Sequence, residues 1–141
     1  VSLERHRAAK LDDFRRIATE FAHSLNAGDS VALSGEMGAG KTTFVRAVVL
    51  ALHGSERASS PTFIFRHTYP GTPPIEHLDL YRLDDPAEAL ELGLHEAFEI
   101  GAIVFVEWPD RMPGLLPPKA IRIGLTGCGD DPREIAIERP A

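Results

Sequence analysis

The chain contains no glutamine and a single cysteine. A lone thiol, Cys128, cannot close an intramolecular disulfide, so a reducing compartment is the simple expectation. It is not a supported nucleophile either, because "TGCGDD" reads as a turn with no adjacent basic residue. Long hydrophobic runs are missing: "AVVLAL" is among the longest, far short of the roughly 18 residues a membrane span needs. No signal-peptide pattern opens the sequence, and a cytoplasmic protein without membrane contact is expected. Blocks of like charge are also missing. At a net charge of −6 there is no basic field for an unaided grip on nucleic acid, which argues against DNA binding and against tight direct RNA binding. No His-Glu-x-x-His or cysteine cluster occurs, so His77 and His95 read as local hydrogen-bonding residues rather than metal ligands.

What is present suffices for one core. The chain is 141 residues long and 43% hydrophobic, which predicts a single domain over residues 1–141. In "AKLDDFRRIATEFAHSLNAGD", Leu11, Phe14, Ile17, Ala18, Phe21, Ala22 and Leu25 recur at helical spacing, and "NAGD" supplies the stop. "SVALS" reads as a short buried strand. An apolar helical segment from Phe44 to Leu52 ends at Gly54. "TFIFRHTY" and "IEHLDLYRL" form an expected antiparallel hairpin across "PGTPP". Asp-Asp-Pro starts a helix that Gly93 stops. "AIVFVE" is the most continuous apolar strand and belongs in the middle of the sheet. "AIRIGLTG" and "EIAIE", joined at "CGDDP", read as a hairpin at the sheet edge. The expected class is α/β: a P-loop NTPase-like three-layer sandwich with a mixed central sheet and antiparallel hairpins.

The chemistry concentrates in "LSGEMGAGKTTF", Leu33 to Phe44. The signature of transport ATPases needs Gly-Gln after "LSG", and Glu36-Met37 stand there instead. Gly35, Gly40, Lys41 and Thr42 do satisfy the phosphate-loop pattern Gly-x-x-x-x-Gly-Lys-[Ser/Thr], in the strand–loop–helix setting it requires. Glycines let successive backbone N–H groups turn inward around phosphate oxygens, and the positive end of the following helix adds to their pull. The candidate phosphate contacts are Gly35, Glu36, Met37, Gly38, Ala39, Gly40, Lys41, Thr42 and Thr43. Lys41 is placed for the outer phosphates, Thr42 for Mg²⁺, and Thr43 for the inner phosphate.

Such a site needs a carboxylate at the end of a neighbouring strand. Glu107 ends "AIVFVE", and Asp79 lies within "HLDLYR". The competing reading of either is a strand-end acid paired with an arginine such as Arg82 or Arg111. Thr62, in "SSPTF", occupies a position that in P-loop switches often senses the γ-phosphate, though spacing alone fits an ordinary turn as well. The guanine-reading motifs Asn-Lys-x-Asp and Thr-Lys-x-Asp are absent, which favours ATP or ADP. Neither a water-orienting glutamine nor an identifiable arginine finger is present, so slow unaided hydrolysis is expected.

In this order and spacing, "GEMGAGKTTF", "SPTF", "HLDLYRL", "ELGLHEAF" and "VFVEWPDR" resemble the TsaE (YjeE) family over roughly Leu33 to Pro117. The resemblance implies an ATPase that assists the TsaB and TsaD proteins in making threonylcarbamoyladenosine at position 37 of ANN-decoding tRNAs, with tRNA engaged through the partners. It also implies that Thr42 and Glu107 hold Mg²⁺, that Asp79 serves hydrolysis, that Thr62 falls in a switch and that Trp108 lies close to the nucleotide. Lys41, Asp79 and Glu107 are thus the candidate catalytic residues. Family members contact the nucleotide from the N-terminal region and from a basic residue near the C-terminal hairpin, for which Arg133 is the candidate here. The alternatives are a small-molecule kinase of the shikimate or nucleoside type, and a nucleotide-sensing module that does not hydrolyse.

Overall fold

The computed structural model describes residues 1–55 and 65–141. Strand β1 (Ser2–Ala8) leads into helix α1 (Leu11–Ala22), strand β2 (Ser30–Gly35) and helix α2 (Lys41–His53). Strands β3 (Arg66–Tyr69) and β4 (Ile75–Asp79) follow, then helix α3 (Pro86–Glu91) and a 3₁₀ turn at Leu94–Phe98. Strand β5 (Ile103–Glu107), a short turn at Pro109–Arg111, and strands β6 (Ile121–Thr126) and β7 (Arg133–Arg139) complete the described chain. Their ends are set by local chemistry. Asp13 accepts the Lys10 N–H at 3.2 Å, and Asp12 joins it in a first helical turn where negative charge is favoured. Asp85 caps α3 by accepting the Ala87 N–H at 3.0 Å, with Pro86 as the first helical residue. Gly54 closes α2 in the left-handed conformation, its N–H donating to Leu50.

The strands form one mixed sheet in the order β1-β7-β6-β2-β5-β4-β3. Strands β6, β2, β5 and β4 run parallel, and β1, β7 and β3 pair antiparallel to their neighbours. Side chains alternate between the two faces. Ile75, Ile103 and Phe105 join α1 and α2 in one core, while Leu78, Val104 and Val106 join α3 and the 3₁₀ turn in the other. This is the three-layer α/β arrangement the sequence predicts. Strand β5 is buried along its whole length and lies between β2 and β4. Of the expected apolar face of α1, Phe14, Ile17, Ala18, Phe21 and Ala22 are buried, Leu25 packs at the margin, and Leu11 is exposed.

Three boundaries differ from the sequence expectation. The hairpin β6–β7 forms but is not the edge, because β1 pairs with β7 from Ser2↔Arg139 to Ala8↔Arg133. "SLERHRA" carries little apolar alternation and is mostly exposed, so pairing with β7, including the Glu4–Arg139 ion pair, makes it a strand rather than a pattern of its own. Helix α2 begins at Lys41, a turn before its apolar run. Strand β4 stops at Asp79 rather than continuing through "LYRL": the Asp79 carboxylate accepts the Tyr81 N–H at 3.1 Å and turns the chain. The residues of "TFIFRHTY" before Phe65 lie outside the described residues.

The first core centres on Phe44, fully buried, with the rings of Phe14 and Phe21 at 5.8 and 5.7 Å. Phe44→Ala is expected to cost about 3–5 kcal/mol, the range for a fully buried phenylalanine. Arg16→Ala, which breaks an exposed pair with Glu20, should cost no more than about 0.5 kcal/mol. Urea unfolding midpoints at constant slope would check both, and comparable losses would contradict the packing described.

Candidate functional site

The parallel strands β2, β4 and β5 deliver Gly35, Asp79 and Glu107 to the same end of the sheet. Register fixes the arrangement: Glu107 lies opposite Leu33 on one side and opposite Asp79 on the other. Ligands of open α/β sheets bind at such carboxyl ends. The loop from Gly35 enters α2 through Gly40, whose φ of 105° is left-handed and whose missing Cβ would lie 3.1 Å from the Phe14 ring. Arg133 reaches the loop from β7, donating from Nε to the Ala39 carbonyl at 3.0 Å and from Nη2 to the Gly38 carbonyl at 3.2 Å. Two further donors go to the Asp131 and Gly129 carbonyls of the adjoining turn. The arginine thereby fixes loop carbonyls from outside.

Glu107 is 3% exposed. Its Oε2 accepts from the Thr42 hydroxyl at 3.2 Å and is in contact with His77 Nε2. Among the described residues, neither Glu107 nor Asp79 pairs with an arginine: Arg111 lies over the Tyr81 ring, and Arg82 lines the cleft without a hydrogen bond or ion pair to any of them. The reading of these carboxylates as arginine-paired strand ends is therefore not realised among the described residues.

Lys41 is buried, its Nζ donating to the Gly35 carbonyl and lying 3.9 Å from the centre of the Trp108 ring. Burial holds its ammonium below the usual lysine range, a shift partly offset by the charges of Glu107 and Asp79. Trp108 follows Glu107 in a left-handed backbone conformation with φ 57°, and Tyr81 packs against its ring at 5.1 Å. The result is a stack running from Lys41 through Trp108 and Tyr81 to Arg111.

The sequence model described as "Threonylcarbamoyl adenosine biosynthesis protein TsaE" matches residues 8–135. The chain belongs to the TsaE family. That family acts in tRNA threonylcarbamoyladenosine biosynthesis. The chain is 35% identical to the tRNA threonylcarbamoyladenosine biosynthesis protein TsaE of Bacillus subtilis, over 93% of this chain and 82% of that protein. It is 40% identical to the protein of the same name from a Nostoc species, over 81% of this chain and 72% of that protein. The crystal structure of Bacillus subtilis YdiB superimposes with a TM-score of 0.81 at 30% identity, covering 100% of this chain and 88% of that one.

Within this TsaE-family chain, Lys41, Thr42, Thr43, Asp79, Glu107 and Trp108 share an open cleft of about 540 Å³, with Met37, Gly38 and Gly40 on its loop side. Gly35 lies beside it, under Lys41. A second cavity of about 510 Å³ opens across the loop, where Ala39 and Arg133 meet Lys10 and Phe14. Gly38, Gly40 and Thr43 border both. Glu36 is exposed and lines neither. Thr62 lies outside the described residues. The sequence reading did not place Tyr81 and Arg82 in the cleft or His77 beneath Glu107. The available signal was the two-residue period of "HLDLYR", which puts His77 and Asp79 on one face of β4. Among the described residues, no helix is long and apolar enough to cross a membrane.

The depressed lysine has a consequence for stability. The unfolded chain binds the Lys41 proton more tightly than the native one, so the penalty is complete below the folded pKa and is relieved as pH rises toward the unfolded value. The melting temperature of the parent chain should therefore rise relative to that of Lys41→Met as pH goes from neutral toward about pH 10. Melting curves across that range test this, and a difference that stays constant or moves in the variant's favour would contradict it.

Proposed function

We propose that the chain is an ATP-binding, weakly hydrolysing ATPase that assists TsaB and TsaD in forming threonylcarbamoyladenosine at position 37 of ANN-decoding tRNAs. The observation that carries this reading is the convergence of Lys41, Thr42, Asp79 and Glu107 in one cleft at the start of α2. Backbone N–H groups of the Gly35–Gly40 loop and the positive end of α2 suit phosphate oxygens, and the Lys41 ammonium adds a full charge beside them. Arg133 takes up the Gly38 and Ala39 carbonyls, and the loop amides other than that of Ala39, which donates to the Glu36 carbonyl at 3.1 Å, are left for phosphate oxygens. The second cavity, between the N-terminal segment and the β6–β7 turn, suits the base. The missing guanine-reading motifs favour adenine as that base.

The donor set fits Mg²⁺. Thr42 and Glu107 offer hard oxygens that already meet at 3.2 Å, with Asp79 in register beside them. Among the described residues, no group of three or more His, Cys, Asp or Glu is arranged to hold a metal by itself. Mg²⁺ would take its other ligands from phosphates and water. When bound, Mg²⁺ neutralises charge on the β- and γ-phosphates. Asp79 is then left to orient the attacking water. Trp108 and Tyr81 wall the phosphate side, and Thr62 would act as the switch residue. With no glutamine in the chain, partners complete the hydrolytic site or read the nucleotide state. The net charge of −6 suits a protein that meets tRNA only through those partners, in the cytoplasm and without DNA or membrane.

Reconstitution with TsaB, TsaD, tRNA and ATP tests the whole reading. Modified adenosine should accumulate over several turnovers only when this chain is present, and equal yield without it would refute the role. The carboxylates separate by kinetics. Glu107→Gln should weaken Mg²⁺-dependent ATP binding by at least about tenfold. Asp79→Asn keeps an acceptor for the Tyr81 N–H, so it should bind normally while losing most partner-stimulated hydrolysis. The reverse pattern would exchange the two roles.

A further inference from the structure

We propose that His77 is a positioning residue for the metal-binding carboxylate: its Nε2–H fixes Glu107 Oε2 and leaves Oε1 presented to the cleft. This rests on the reading of Thr42 and Glu107 as Mg²⁺ ligands. His77 is 3% exposed and sits on β4 opposite Phe105, one alternation behind Asp79 on the same face. Its Nε2 contacts Glu107 Oε2 directly. A carboxylate can only accept, so an attractive contact requires the proton on Nε2, which sets the imidazole tautomer. The Thr42 hydroxyl converges on the same oxygen at 3.2 Å. Both donors therefore fall on Oε2. Oε1 receives no hydrogen bond from any described residue, while Glu107 as a whole borders the cleft.

The contact does more than satisfy a buried histidine. Glu107 has the freedom of a long side chain, and holding one oxygen removes the rotations that would turn the other away from a metal. Thr42 alone cannot do this, since its hydroxyl is itself assigned to the metal. His77 has no such second task. Its opposite neighbour is the His67 ring, at 6.0 Å across the β3–β4 pair, so the imidazole is held between a ring on one side and the carboxylate on the other.

The test measures nucleotide affinity with EDTA and with Mg²⁺, the ratio giving the metal's contribution. His77→Phe keeps the ring and loses the donor, while His77→Gln keeps an N–H of similar reach. The ratio should fall by about tenfold or more in His77→Phe, and His77→Gln should restore most of it. Affinity in EDTA should stay within about twofold throughout, because the phosphate contacts do not involve His77. If His77→Phe does not fold, His77→Asn, whose amide falls short of Oε2, takes its place with the same expectations. An unchanged ratio, a parallel loss with and without metal, or failure of His77→Gln to restore the ratio would each overturn the proposal. A parent chain with no Mg²⁺ dependence would overturn the metal reading itself, and the inference with it.

Discussion

A carboxylate removed from water at the end of the most buried strand has to be met by donors, and much of the site follows from how Glu107 is met. An isolated buried charge would cost several kcal/mol, enough to rival the net stability of a domain. Thr42 and His77 meet it at the same oxygen from different elements, one from the start of α2 and one from β4. Those contacts tie helix α2 to β4 through β5, so the spacing between the glycine loop and Asp79 is not left to loop conformation. Lys41 completes the local balance, since Glu107 and Asp79 partly offset the cost of burying its ammonium. Two charges of opposite sign are each tolerable because the other is near.

Trp108 shows the same logic in the backbone. A bulky residue in the left-handed region costs on the order of 1–2 kcal/mol. Only Trp108 among the described non-glycine residues takes such a conformation. The conformation turns the indole back under Lys41 and against Tyr81. A cation–π contact of about 0.5–2 kcal/mol and an aromatic pair of about 0.5–1.5 kcal/mol are large enough to offset it. The strained turn after β5 is thus compatible with a stable fold, and it sets an aromatic wall beside the lysine.

The parts of this arrangement that were legible in the sequence are those carried by local pattern. The glycine–lysine loop, the apolar period of α1 and the continuous apolar run of β5 each specify their own conformation. Strand β1 was not legible because its residues carry no pattern of their own. It exists through pairing with β7, at the far end of the sequence. The end of β4 was hidden for a related reason: apolar Leu80 continues the strand pattern, but the Asp79 carboxylate captures the Tyr81 N–H and ends it. His77 read as a local hydrogen-bonding residue; it does hydrogen-bond, but not locally. The partner that gives the bond its meaning lies 30 residues away on another strand. Arg133 had only its charge to recommend it, and its contacts with Gly38 and Ala39 span more than 90 positions.

Those distant contacts divide the labour of the sheet. The half made of β4 and β5 supplies the carboxylates, whose geometry is fixed by strand register. The opposite half supplies support for the loop: Phe14 of α1 packs where a Cβ on Gly40 would stand, and Arg133 of β7 holds the carbonyls of Gly38 and Ala39. Strand β2 and helix α2 join the halves, and the loop between them borders both cavities. A ligand spanning those cavities would contact both halves at once, with phosphates on the carboxylate side and a base on the supporting side. Binding to that composite surface would stabilise elements drawn from both ends of the sequence together. On the proposed reading, a partner that touched either half would have a physical route to a bound nucleotide, without any contact to the phosphates themselves.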